Sequence, residues 1–278
     1  MNGISIVKNI IYTMGIFLLF GFHSMVFQPS GTIAQQQHKL IFISFLTMLI
    51  VVIPVIFMTL LFVYSYRSSQ KNIYRPNWKH SNIIEVTVWI VPIIIVIFLS
   101  LLTWRTSHTL DPKRNITSIH QPIKIHAIAL DWKWLFIYPK EKIATINELI
   151  VPVNTPIIFS ITSNSVMSSF FIPELGSQVY AMPKMISHVN LLAKYPGQFY
   201  GFSANYNGEG FSDMKFNTLV VPNKKIFNKF INKIQHVSYK LNTIHKLSIL
   251  CRPSLINDVQ YFSHVYPNIL KSFMLRSM

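Results

Sequence analysis

Apolar residues crowd the first hundred positions of the chain and then change rhythm. Between Lys39 and Arg67, the 27 residues Leu40–Tyr66 carry no formal charge, a length of about 40 Å as helix at roughly 1.5 Å per residue. Between Glu85 and Arg105 lies a second uncharged stretch, VTVWIVPIIIVIFLSLLTW, about 28 Å long. Both suit a bilayer core of about 30 Å, the longer one with tilt. The pattern predicts transmembrane helices at 40–66 and 83–106, joined by a loop at 67–82. Pro54 and Pro92 fall inside them. Membrane helices tolerate proline because neighbouring groups re-satisfy the freed carbonyls, so kinks are expected and breaks are not.

A shorter apolar run, Ile10–Phe22, follows Lys8 and Asn9, and reads as a signal-like segment over 1–27. Leu19-Phe20-Gly21-Phe22 has the shape of a bacterial lipoprotein box, with Phe22 where the lipid-carrying cysteine would stand. Lipidation at that position is chemically excluded. No small-x-small cleavage signal is clear, so cleavage and retention as an anchor both stay open.

Short basic loops set orientation, because long domains translocate largely regardless of charge. The connection at 67–82 carries Arg67, Lys71, Arg75 and Lys79 without an acid, whereas 28–37 is uncharged. The basic loop therefore belongs in the cytoplasm, with everything after Arg105 on the opposite face and Trp78 and Trp104 near the interfaces. After a polar linker at 107–121 the period falls to two. Ile123, Ile125 and Ala127 alternate with Lys124 and His126, and Ile157, Phe159 and Ile161 with Ser160 and Thr162. With turn signals at Pro152–Pro156, Pro196-Gly197 and Asn207-Gly208, this predicts a Greek-key β-sandwich over 122–222. Past Pro222, Phe227, Phe230, Ile231 and Ile234 in a Lys- and Asn-rich tail predict a helical arm over 223–278. The class is membrane α + β.

Composition agrees: 51% of the 278 residues are hydrophobic, 12% are charged and the mean hydropathy is +0.38. An ordinary soluble domain carries about 25% charged residues. The net charge of +16 raises nucleic acid or an anionic membrane surface as partners. Its location weakens that idea: nine Lys and Arg against one Asp lie beyond Pro222, and four more lie in the orienting loop. The outward tail leaves membrane lipid as a partner and no nucleic acid. The single cysteine, Cys251, excludes an intrachain disulfide framework and any multi-thiolate metal site within the chain, and reads best as a lone buried small hydrophobe.

Trp132, Trp134, Phe136 and Tyr138 recur at every second position and would share one face of a strand. Such a ladder usually marks a packed core row; the alternative is a subunit-docking or electron-accepting surface. Glu85, the only acid near either span, stands three positions after Asn82, a capping-box pattern whose carboxylate suits the helix dipole. Acids at membrane depth are also functional candidates by default. The ten histidines show no pair at metal-ligand spacing on one predicted element, and no phosphate loop or nucleophile elbow is present; Gly208-Glu209-Gly210 is too short a signal.

Two spans, the aromatic run and an outer sandwich together resemble subunit II of the haem-copper respiratory oxidases, whose sandwich is cupredoxin-like. Ser168-Ser169-Phe170-Phe171-Ile172-Pro173-Glu174-Leu175-Gly176 is similar to the family's His-Ser-Trp-x-x-Pro-x-Leu-Gly segment, and Tyr200–Met214 to its Cys-Ser-Glu-x-Cys-Gly-x-x-His-x-x-Met segment. In the cytochrome c oxidases these segments hold a dinuclear copper. By the resemblance, its histidine positions are Ser168 and Phe211, its bridging cysteines are Ser203 and Asn207, and Met214 alone is retained. Hydroxyl, amide and phenyl groups do not replace the soft thiolates and imidazoles that hold copper. The resemblance therefore points to the copper-free branch, the quinol oxidases of the cytochrome bo type, which Ser163–Pro173, Leu175–Met182 and Asn257–Ser263 also resemble.

What the resemblance implies is a non-redox subunit of a proton-pumping ubiquinol oxidase, multi-pass in the bacterial inner membrane with its C-terminal domain in the periplasm. It would carry no cofactor and no catalytic residue of its own. Haem b, haem o and copper would sit in subunit I, with smaller membrane subunits and ubiquinol as the other partners. Glu85-x-x-x-Trp89-x-x-Pro92 resembles the segment whose glutamate marks the inner mouth of one proton pathway. The competing readings are a copper-bearing cytochrome c oxidase subunit, whose ligands are missing, and a membrane-anchored binding module.

Overall fold

The computed structural model describes residue 12 and residues 27–67, 80–254, 258–265 and 273. Most of the signal-like segment with Phe22, the loop residues Lys71, Arg75, Trp78 and Lys79, and Asn257 lie outside the described residues. The chain divides into two compact units, residues 38–111 and the remainder.

In the smaller unit the apolar runs form helices. Helix α1 spans Thr32–Ser65 and helix α2 spans Asn82–Thr109, with Pro54 and Pro92 inside them and neither helix broken. Their central windows are wholly unburied and apolar enough to cross a membrane, giving two candidate spans among the described residues, an anchor rather than a multi-pass bundle. Both helices outrun the predicted limits. Helix α1 begins eight positions before Leu40, because its first turns belong to the larger unit, where Ile33 and Ala34 are buried. Helix α2 continues past Thr106, whose hydroxyl donates to the Leu102 carbonyl at 2.8 Å.

The larger unit is a β-sandwich of two mixed sheets. One has the order β11-β3-β2-β1-β5-β8, from β1 (Ile123–Leu130), β2 (Lys133–Tyr138), β3 (Ile143–Ile146), β5 (Ile157–Ser163), β8 (Ser187–Leu191) and β11 (Gln260–Phe262). The other runs β4-β10-β9-β6-β7, from β4 (Glu148–Pro152), β6 (Ser168–Phe171), β7 (Val179–Ala181), β9 (Gly197–Ser203) and β10 (Lys215–Val221). Strand β1 is parallel to β5 and β4 to β10, so the sequence leaves and re-enters each sheet by crossover. Between the sheets Trp134 and Phe136 of β2 meet Phe170 of β6 and Phe216 of β10, with ring centroids 5.0–6.3 Å apart. The Tyr138 hydroxyl ties the sheets further: it donates to the Ile150 carbonyl (3.0 Å) and accepts from the Ile150 N–H (2.9 Å).

The other face of β2 is buried too. Leu135 and Ile137, with Ile128, Leu130, Ala144 and Ile146, pack against Leu241, Leu247, Cys251 and Phe273 of the C-terminal arm. Cys251 is thus the buried small hydrophobe expected of it. The arm is not only helical. It holds α3 (Lys224–Gln235), capped by the Asn223 side chain, and α4 (Ile244–Leu250), capped by the Thr243 side chain. Its strand β11 then pairs antiparallel with β3. The Tyr261 hydroxyl donates to Glu148 at 2.5 Å, and buried Lys133 donates to the Arg252 carbonyl at 3.2 Å. The sandwich predicted over 122–222 therefore recruits its last strand from beyond that limit.

A strap fixes the other end of the unit. The Ser30 and Gly31 N–H groups both donate to the Glu174 carbonyl at 2.8 Å, and Lys194 N–H donates to the Ser30 carbonyl at 2.9 Å. Only glycine fits at 31, where a Cβ would stand 2.1 Å from the Leu175 carbonyl oxygen.

A chain ended at Asn223 loses the arm and bares the outer face of β1, β2 and β3. Exposed apolar surface costs about 25 cal/mol per Å², so the truncated chain is expected to aggregate in size-exclusion chromatography with light scattering. A monodisperse truncated chain with a cooperative melt would show that the third layer is dispensable.

Candidate functional site

The five positions of interest come together at one end of the sandwich. Ser168 opens β6 and Ser203 closes β9; Asn207 and Phe211 lie in the connection that follows, Phe211 opening a 3₁₀ turn to Asp213, and Met214 precedes β10. Asn207 Nδ2 donates to Ser168 Oγ at 2.8 Å and approaches Met214 Sδ at 3.0 Å. Ser203 N–H donates to the Met214 carbonyl at 3.1 Å, and Ser203 Oγ donates to the Asn205 carbonyl at 3.2 Å. Ser169 Oγ accepts from Ala204 N–H at 2.8 Å. The Phe211 ring turns away onto Tyr206, 5.6 Å between centroids.

This donor set does not fit a dinuclear copper centre. It offers one thioether, two hydroxyls and an amide, with neither a thiolate nor an imidazole to hold a soft metal. What the residues do is bond to each other, joining β6 to the β9–β10 connection.

Trp132 stands beside them. It lies in the β1–β2 turn, not on the strand, with φ at +63°, a left-handed conformation that costs a bulky residue roughly 1–3 kcal/mol. Its indole covers Gly208 and Gly210; a Cβ on Gly210 would come within 2.4 Å of the indole Cγ. The pair Gly208 and Gly210, too slight a motif to read in the sequence, gives the indole its seat. Val166, Met167 and Tyr206 are exposed around the same connections. The other three members of the aromatic ladder require a correction. Trp134, Phe136 and Tyr138 are 0% exposed and form the inter-sheet core row, so they offer no docking surface in this fold.

Glu85 stands apart, in the first turn of α2. The capping box expected there does not form: the N-cap is Ser81, one residue before Asn82, and no side chain caps the helix. The Glu85 carboxylate instead pairs with His80 Nε2 at 3.0 Å, both side chains about three-fifths exposed.

Residues 140–221 match the family described as cytochrome c oxidase subunit II, periplasmic domain. A protein of Buchnera aphidicola subsp. Baizongia pistaciae, named cytochrome bo(3) ubiquinol oxidase subunit 2, is 54% identical over 255 residues, covering 91% of this chain and 89% of its own length. The chain belongs to the ubiquinol oxidase subunit 2 family. Further subunits 2 share the same extent: that of Acetobacter aceti is 47% identical (93% of this chain, 84% of its own) and that of Pseudomonas putida 43% identical (92% and 81%). The sandwich is the cupredoxin-like domain of this family, preceded by two apolar helices. The subunit 2 chain thus joins β6 to the β9–β10 connection through side chains that bond to one another.

Replacing Gly210 by Ala is expected to displace the indole and destabilise the fold by about 1–3 kcal/mol, as overpacking does. In a Trp132→Ala background the same change should cost little, a non-additivity that thermal melts of the four variants would reveal.

Proposed function

We propose that the chain is the non-redox subunit II of a proton-translocating ubiquinol oxidase, a complex that oxidises ubiquinol and reduces oxygen to water. Membership of the ubiquinol oxidase subunit 2 family supports the activity of the complex. The single observation that supports the non-redox role is the bond from Asn207 to Ser168 beside Met214, which fills the former metal position with groups that cannot exchange electrons. Electrons then reach the oxygen-reducing centre without crossing this domain. A lipid-soluble quinol delivers them from within the membrane to subunit I, where haem b, haem o and copper reside. This subunit anchors itself by its two apolar helices in the bacterial inner membrane, with the sandwich in the periplasm and the basic loop in the cytoplasm. It holds subunit I and the smaller membrane subunits in place. The half-buried Trp132 contributes to the docking surface.

The test is purification in mild detergent with an optical spectrum. Haem b and haem o bands that co-elute with the chain are the expected result; a haem-free chain, or two tightly bound coppers on this subunit, would overturn the reading.

Glu85 sits where a proton pathway could open toward the cytoplasm. Its carboxylate faces water beside His80. Glu85→Gln is expected to slow proton uptake while the complex assembles normally. Unchanged turnover in an assembled Glu85→Gln complex would leave the carboxylate with a purely local part, pairing with His80.

A further inference from the structure

Outward from the sandwich core, strand register sets three polar side chains in a row. His126 of β1 lies opposite Ser160 of β5, and Ser160 opposite His188 of β8. All three project from the outer face, since their neighbours Ile125, Ala127, Phe159, Ile161 and Val189 are fully buried in the core. Adjacent strands run about 4.8 Å apart, so the two imidazoles spring from positions about 10 Å apart, with a hydroxyl between them. His126 Nδ1 is shut off from solvent without a hydrogen bond, which leaves Nε2 as the nitrogen that the ring presents. A ring nitrogen binds zinc at about 2.0–2.1 Å, and two rings leaning inward by Nε2 from this separation meet over Ser160.

We propose that His126 and His188 form a two-imidazole site for a borderline divalent transition-metal ion such as Zn²⁺, with Ser160 beneath it. Imidazole is a good ligand for Zn²⁺, Cu²⁺ and Ni²⁺ and a poor one for Mg²⁺ or Ca²⁺. No group of three His, Cys, Asp or Glu side chains occurs among the described residues, so water completes the coordination and the ion stays exchangeable. Lys124, on the same strand face two residues before His126, opposes the ion by its charge. Strand β8 is an edge strand, and the ion would tie that edge to β1 across β5.

The experiment is an equilibrium Zn²⁺ titration of the purified full-length chain in non-ionic detergent, in competition with a chromophoric chelator. Wild type should bind one Zn²⁺ that His126→Ala and His188→Ala each weaken by roughly tenfold or more, since outer-shell changes alone typically cost 10–100-fold. Lys124→Gln should tighten it, and Mg²⁺ should not compete. His188 is exposed on the edge, so His188→Ala keeps the test valid should His126→Ala fold poorly. Equal affinity and stoichiometry in wild type and His188→Ala would overturn the site.

Discussion

Strand β2 has no side that faces water, and the architecture of the larger unit follows from that constraint. Apart from Lys133, its odd and even residues are both apolar, so each face needs a cover. Trp134, Phe136 and Tyr138 take the second sheet; Leu135 and Ile137 take the arm. Burial of large aromatic side chains is among the strongest driving forces a small domain has. Here it demands three layers where a sandwich ordinarily has two. The arm is therefore a structural layer, and the Thr243 cap starts the short helix α4, whose Leu247 covers a face that would otherwise associate with other chains.

The end of the sandwich near Trp132 shows a different economy. The connections here are held by their own side chains. Asn207 spans to Ser168 and reaches the Met214 sulfur, while Ser203 and Ser169 stitch β6 to the residues after β9. Buried polar groups left unpaired cost roughly 1–3 kcal/mol each, so polar side chains enclosed here need partners. The serine hydroxyls and Asn207 Nδ2 find theirs within the cluster, while Asn207 Oδ1 stays buried without one and the Phe211 ring packs on Tyr206. Trp132, held at positive φ over Gly208 and Gly210, keeps those loops closed from outside.

Much of this was legible in the sequence because periodicity reports local environment. The two uncharged runs, the alternation at Ile123–Ala127 and Ile157–Ile161, and the core reading of the aromatic ladder each rest on neighbours a few residues apart. Helix limits were less legible: Ser81 holds the N-cap position where Asn82 was expected, without a side-chain bond, and α1 starts early because Gly31 docks on Leu175, 144 positions away in sequence. Pairings of that range leave no periodic trace. Neither the docking of β11 on β3 nor the row His126, Ser160, His188 has a spacing that a sequence motif could carry. Trp132 falls on the ladder by spacing, yet the turn between β1 and β2 removes it from the strand.

The late position of β11 has a consequence for how the molecule comes into being. Strand β3 remains an open edge until residues 260–262 arrive, and open edges invite pairing with the wrong chain. Long-range strand pairing is also slow to form, because loop closure must precede its reward. A polypeptide made from its N-terminus therefore carries an unfinished sheet from the completion of β3 at Ile146 until β11 begins at Gln260. Only when that segment has been delivered does β3 gain its second neighbour, so completion of the sheet is timed by the arrival of β11.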